Sequence, residues 1–202
     1  MIYQIKVTLK DVGLPVWRRL LVHSDTTFED LHYILMTAFD WAGYHLHEFD
    51  VRRSDGERMS VTRIGPDDGT NGSGLENVFP FAVDDAFTSQ FLPHLKSRNE
   101  KNERLSDWIK KEKDRILYTY DFGDNWEHNI VLESILEADP SLTYPTCIKA
   151  KNEAPPEDSR GELIEGEIDL VNPDWKEIVA DINDVFETED WKDEFLSRDD
   201  LF

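Results

Sequence analysis

The chain has 202 residues, with 22 Lys or Arg against 43 Asp or Glu, a formal net charge of −21. Such an acidic chain repels phosphate, which argues against general DNA or RNA binding and against docking on an anionic membrane. With 39% apolar and 11% aromatic residues it still has the material for a core, so it does not read as a disordered polyanion.

Residues 2–10 alternate. Tyr3, Ile5, Val7 and Leu9 face one way and Gln4, Lys6, Thr8 and Lys10 the other, the period of a half-buried strand. No basic segment followed by an apolar run marks a secretion signal, and no run approaches 18 apolar residues. Cys147 is the only cysteine, so the expected compartment is the cytoplasm. Asp11-Val12-Gly13-Leu14-Pro15 is turn chemistry, and Val16 to Val22 reads as the second strand of a hairpin. Arg18 and Arg19 point to opposite faces, so at least one lies beside apolar neighbours and calls for a carboxylate partner.

Thr27 and Asp30 have capping-box spacing. Phe28, Leu31, Ile34, Leu35, Ala38 and Phe39 then recur at helical spacing, with Gly43 expected to end the helix. His45 to Val51 returns to period two, with His45, His47, Phe49 and Val51 on one side. Residues 65–74 carry four glycines. Leu75 rather than Lys follows the last of them, and Val78 stands where a calcium loop counted from Asp67 needs Glu, so a surface loop is expected.

Residues 80–99 show no clear period. Leu105 to Lys113 suggests a short helix. Ile116 to Phe122 alternates, Gly123-Asp124-Asn125 turns the chain, and Trp126, His128, Ile130 and Leu132 share a face, which makes a second hairpin. Residues 152–167, with Asn, Glu, Pro and Gly, read as a linker.

Asn172 then reads as a cap and Pro173 as the first helical turn of a last helix, with Trp175, Ile178, Val179, Ile182, Val185 and Phe186 in its stripe and Asp181 and Asp184 towards water. Residues 153–202 hold 4 basic and 18 acidic side chains, a net of −14, whereas residues 1–152 hold 18 and 25, a net of −7. The expected architecture is α+β, one antiparallel or mixed sheet of hairpins covered by helices, with a β-grasp-like start. Residues 1–152 form its core domain and 153–202 a linker and acidic helical segment packed on it.

Several runs fall in a telling order. They are Pro15-Val16-Trp17-Arg18-Arg19, Thr27 to His32, Trp41, His45-Leu46-His47-Glu48-Phe49, Tyr120 to His128, Pro145-Thr146-Cys147 and Ala154-Pro155-Pro156-Glu157-Asp158. In this order they resemble the plasmid pRiA4b ORF-3-like family over about residues 2–160. The resemblance implies a compact α+β domain of prokaryotic type and lends no enzymatic activity. Members often carry a Cys before the Pro-Pro-Glu-Asp run and another upstream. Cys147 matches the upstream one, but Ala154 fills the other position, so a two-thiol role does not carry over.

His45, His47, Asp121, Asp124, Glu127, His128, Cys147, Glu157 and Asp158 make a constellation of metal-ligating types. The expected divalent-metal ligands are His45 and His47, two apart on a strand, with His128 and Cys147. The leading reading of these residues is structural, with the histidines buried among aromatics, Asp121 and Asp124 holding a turn or pairing Arg18 or Arg19, and Cys147 inert; the metal set is its alternative. Trp17, Trp41 and Trp126 read first as core; the alternative is a ligand or partner groove built from Trp17, Arg18, Arg19, Trp41, Asp121, Asp124 and Trp126. No complete catalytic motif is present. The leading expectation is therefore a cytoplasmic, non-catalytic binding module whose partner is another protein, met through the acidic tail or this groove. The alternatives are a metal-dependent hydrolase or nuclease and an acidic nucleic-acid mimic.

Overall fold

The computed structural model describes residues 1–55, 58–66, 97–193 and 195–196. The expected glycine-rich loop beyond Pro66, and residues 80–96 of the aperiodic stretch, lie outside these residues. Strands β1 (Ile2–Leu9) and β2 (Val16–His23) form the expected hairpin, in register from Ile2 opposite His23 to Leu9 opposite Val16. Helix α1 (Phe28–Phe39) follows, then β3 (His47–Asp55), β4 (Arg58–Gly65) and β5 (Ser97–Asn99). A short helix α2 (Leu105–Trp108) leads to β6 (Arg115–Tyr120), β7 (Trp126–Leu136) and β8 (Thr146–Lys151). Helices α3 (Arg160–Glu165) and α4 (Trp175–Phe186) complete the described elements.

The eight strands make one mixed sheet, ordered β5-β4-β3-β6-β7-β1-β2-β8, in which only the β4–β5 pair is parallel. The sheet and four helices form a single α+β domain, as the alternation and the hairpins imply.

Register sorts the side chains. Tyr3, Ile5, Val7 and Leu9 of β1 meet Ile130 and Leu132 of β7 and Leu20 of β2 on one face, and Tyr118, Tyr120, Phe49 and Ile64 continue that face. Helix α1 brings Phe28, Leu31, Leu35, Met36 and Phe39 to the same buried core. Each such aliphatic or aromatic side chain stabilises the fold by about 1.5–3 kcal/mol when fully buried. The other face is polar. There Arg19 makes a forked pair with Glu133 at 2.6 and 2.9 Å, and Lys6 and Arg19 lie over the Trp17 ring.

Helix α1 starts as its sequence implies: the Thr27 hydroxyl accepts from the Asp30 amide at 3.0 Å. The Asp30 carboxylate pairs with Lys192. The helix ends earlier than Gly43, at Asp40, which takes a left-handed conformation (φ 58°) and donates its amide to Met36 and Thr37. Helix α2 is also shorter than the expected Leu105–Lys113. The Asp114 carboxylate accepts the Lys110 and Lys111 amides at 2.8 and 3.1 Å, which satisfies them outside a helix. Strand β6 stops at Tyr120 because Asp121 is left-handed (φ 53°), leaving Phe122 exposed outside the ladder.

The expected linker carries α3, and its Pro-Pro-Glu-Asp run is bonded into the core. In α4 the cap is Asp174 rather than Asn172: its carboxylate accepts from the Lys176 amide at 3.0 Å, so Pro173 lies before the helix. Ile178, Ile182 and Phe186 of α4 are buried, Trp175 and Val185 are exposed, and Asp181 and Asp184 face water. Asn183 of α4 reaches β8: its Oδ1 accepts the Cys147 amide at 2.8 Å and its Nδ2 donates to the Cys147 carbonyl at 2.9 Å.

Candidate functional site

Three segments far apart in sequence meet at one end of the sheet. The first runs from Trp41 to His45, between α1 and β3. The second is the turn from Asp121 to Asn125, between β6 and β7. The third is Pro155 to Arg160, after β8.

The turn is fixed by its own backbone. Asp121 and Asn125 are both left-handed (φ 53° and 54°), Asp121 Oδ1 accepts the Gly123 amide at 2.9 Å, and the Asn125 amide reaches the Asp121 carbonyl at 2.6 Å. Left-handed conformations cost free energy in residues with a Cβ, so each is held by surrounding bonds.

The third segment is clamped by Glu157. Its carboxylate accepts the Ala42 amide at 2.7 Å, the Gly43 amide at 3.3 Å and the Tyr120 hydroxyl. Trp41 donates its indole N–H to the Pro155 carbonyl at 2.9 Å and stacks on Tyr120, with centroids 5.6 Å apart. Burial and the Glu157 carboxylate push the Tyr120 phenol well above its ordinary value, so it stays a donor.

With these parts fixed, Asp158 (φ 60°) projects beside His45. His45 Nε2 lies 2.7 Å from Asp158 Oδ1 and 3.9 Å from Asp121 Oδ2. The Tyr44 hydroxyl donates to Asp158 Oδ2 at 2.6 Å, which holds the Asp158 carboxyl below its usual range and pushes the Tyr44 phenol up to about 12. One ligand atom each from His45, Asp121 and Asp158 lies within 4.8 Å of the others. An ion bound tetrahedrally at about 2.0–2.2 Å from nitrogen and oxygen needs ligand atoms about 3.3 Å apart, between the 2.7 and 3.9 Å that separate His45 Nε2 from Asp158 and Asp121.

The expected metal ligands divide. Of the four, His45 alone belongs to this cluster. His47 is buried, stacked on His32 at 3.6 Å, with Nε2 2.7 Å from Glu100 Oε2. His128 is fully buried against Phe39 and Trp41, and its Nδ1 lies 3.2 Å from the Trp126 carbonyl. Burial and the nearby Arg18 hold its pKa down to about 3, so it is neutral. Cys147 is buried on β8, where burial pushes its thiol up to about 11.

The expected groove residues are split by the sheet. Trp17 and Arg19 lie on the polar face, while Arg18, Trp41 and Trp126 are buried on the core face. Arg18 finds carbonyls rather than a carboxylate: its Nε donates to Ala38 at 2.8 Å and its Nη1 to Trp17 and Asn152 at 3.0 and 2.8 Å. Arg19 is the one that pairs an acid, Glu133. Asp124 Oδ2 accepts the Arg160 amide at 3.1 Å, and the Arg160 guanidinium lies 4.8 Å over the Trp126 ring. The groove expectation missed Tyr44, Tyr120 and the clamping role of Glu157. The Pro-Pro-Glu-Asp run was the signal that could have found the last.

The model of the family described as plasmid pRiA4b ORF-3-like protein matches residues 1–194. The chain belongs to the plasmid pRiA4b ORF-3-like family. A curated relative, the uncharacterised protein y4hQ of Sinorhizobium fredii, is 30% identical over 160 residues, covering 79% of this chain and 67% of its own. A crystal structure of a protein of unknown function from Methanosarcina mazei Go1 is similar at 29% identity with a TM-score of 0.62, covering 96% of this chain and 87% of the other.

In this pRiA4b ORF-3-like chain, three of the motifs that carry the family resemblance are the three segments that build the cluster. One imidazole and two carboxylates form a hard, borderline-nitrogen ligand set suited to Zn²⁺ or Mn²⁺. Asp158 is half exposed, so water has access to the remaining positions.

Proposed function

We propose that the protein is a binding module that holds a divalent cation on His45, Asp121 and Asp158. The convergence of three separate motif segments on one His and two Asp side chains carries this reading. Each ligand residue is braced by a bond that a purely solvated surface charge does not need: Asp121 by the Gly123 amide, Asp158 by Tyr44, and the backbone N–H of His45 by the Tyr120 hydroxyl at 3.2 Å.

The hydrolytic alternative uses the same ion to activate water. Binding without catalysis is better supported, because the two described cavities, of about 880 and 480 Å³, are lined by none of the three ligands. Neither of these cavities gives the cluster a concave wall that positions a substrate.

Calorimetric titration of the purified protein with Mn²⁺ and with Zn²⁺ tests the reading. One equivalent is expected to bind the wild type, and His45→Ala and Asp158→Asn are expected to weaken binding at least about tenfold. Binding unchanged in both variants, or no binding of either ion, overturns it.

A further inference from the structure

The turn after α2 is a second place where this chain concentrates chemistry, and its sign is opposite to that of the molecule. A cavity of about 880 Å³ opens between this turn and β3, β6 and β7. Lys10, Arg52, Lys110, Lys111, Lys113 and Arg115 line it, against the acids Asp50 and Asp114. The lining residues sum to six cations and two carboxylates, +4, or +3 once Glu127, the ion-pair partner of Lys10, is counted, in a chain of −21.

Only one of the two acids is hydrogen-bonded among the described residues; the buried Oδ1 of Asp50 has no hydrogen-bond partner there. Asp50 lies 3.7 Å from Arg63, which stands outside the cavity, and Asp114 accepts the Lys110 and Lys111 amides. Lys10 pairs with Glu127. The other five cations are exposed and have no carboxylate within ion-pair distance among the described residues. In a chain with about twice as many acids as bases, five cations around one hollow without a carboxylate partner among the described residues are a departure that chance neighbours would tend to remove.

The wall is also pre-set. The Lys113 amide donates to the Leu132 carbonyl at 2.7 Å and the Leu132 amide to the Asp114 carbonyl at 3.0 Å, so the turn is tied to β7. The Ile109 carbonyl accepts the Tyr3 hydroxyl at 2.9 Å. The lysines therefore stand on a backbone fixed before any ligand arrives, which lowers the ordering cost of binding.

We propose that this groove binds a compact phosphate-bearing small molecule of nucleotide size. Lysine and arginine clusters recognise phosphate oxygens by charge-assisted hydrogen bonds. A volume of about 880 Å³ lies within the range of small-molecule sites and exceeds what a bare phosphate fills, and Trp108, Ile109 and Leu117 give the organic part an apolar wall. The global charge selects for size. A long polyanion must run beyond the groove across acidic surface, whereas a compact one keeps its charge within about one Debye length of the cations. The residues involved are separate from His45, Asp121 and Asp158, so this site stands or falls independently of the metal reading.

Equilibrium binding of ATP to the full chain, without added metal, tests the proposal, with a single-stranded oligonucleotide of about twelve residues as the competing probe. ATP is expected to bind one site and to weaken at least about tenfold on raising salt from about 50 to about 500 mM. The double variant Lys111→Glu, Lys113→Glu is expected to lose at least as much, while its circular dichroism stays that of the wild type, since both side chains are exposed. No ATP binding, binding indifferent to the double variant, or an oligonucleotide that binds tighter than ATP overturns the proposal, the last by assigning the groove to a nucleic-acid strand.

Discussion

His32 and His47 lie face to face, with ring centroids 3.6 Å apart and planes within 4° of parallel. The first comes from α1 and the second opens β3, and both are buried. His32 Nδ1 lies 2.7 Å from the Tyr118 hydroxyl, and His47 Nε2 lies 2.7 Å from Glu100. Burial, with His47 alongside, holds the His32 pKa well below its ordinary value.

The sign of the pH dependence follows. A histidine that takes its proton less readily when folded contributes stability above its unfolded pKa of 6.5 and loses it as pH falls below that value. His128, held down to about 3, acts in the same direction over the window from 6.5 to about 3. Each contributes a slope of up to about 1.4 kcal/mol per pH unit. Guanidinium unfolding at pH 7 and at about pH 5.5 is expected to show a clear loss at the lower pH, and coincident curves would refute it.

Replacing Arg18 by Leu is expected to destabilise the protein by about 3 kcal/mol. The change strands the carbonyls of Ala38 and Asn152, which the guanidinium now satisfies from inside the core. Arg19→Leu, on the polar face, loses an ion pair with Glu133 that is about a quarter exposed and is expected to cost about 1 kcal/mol or less. Chemical denaturation of both variants checks the ranking, and equal losses would contradict it.

Cys147 is expected to be silent towards a thiol reagent in the folded protein and to react fully once unfolded. Its thiol is buried and pushed up to about 11, and only the thiolate attacks. Rapid labelling of the native protein at pH 8 would be the contrary result.

Glu157→Gln is expected to cost about 1–3 kcal/mol and to weaken metal binding although Glu157 is not a proposed ligand. The amide retains one acceptor oxygen where the carboxylate now serves two amides and the Tyr120 hydroxyl. Thermal unfolding and the Mn²⁺ titration measure the two effects, and loss of stability with undiminished binding would separate Glu157 from the site.

Much of the sheet was legible because alternation is strong where one face is buried. Both hairpins and the α1 stripe follow from Tyr3-Ile5-Val7, Trp126-His128-Ile130 and Leu31-Leu35. Strand β8 was not legible: only Cys147 and Ala150 are buried in Thr146–Lys151, and a bulge between Arg19 and Leu20 breaks the period. The site was legible as a set of residue types but not as a set of contacts. His45 and His47 share a strand-like spacing, yet β3 begins only at His47, which frees His45 to meet Asp158 across 113 residues. Local periodicity carries no information about a loop closed by a partner so distant in sequence.

Asn183 adds one consequence at the outer strand. A side-chain amide presents a donor group and an acceptor in one plane, as a peptide unit does, and here it occupies the Cys147 position where another strand would pair. The exposed edge that could recruit a neighbouring chain is thereby occupied from within. The helix that supplies this amide lies in the most acidic quarter of the sequence, so an approaching copy meets like charge before it meets a free edge. The acidity that first suggested a docking signal thus also acts as insulation at the β8 edge.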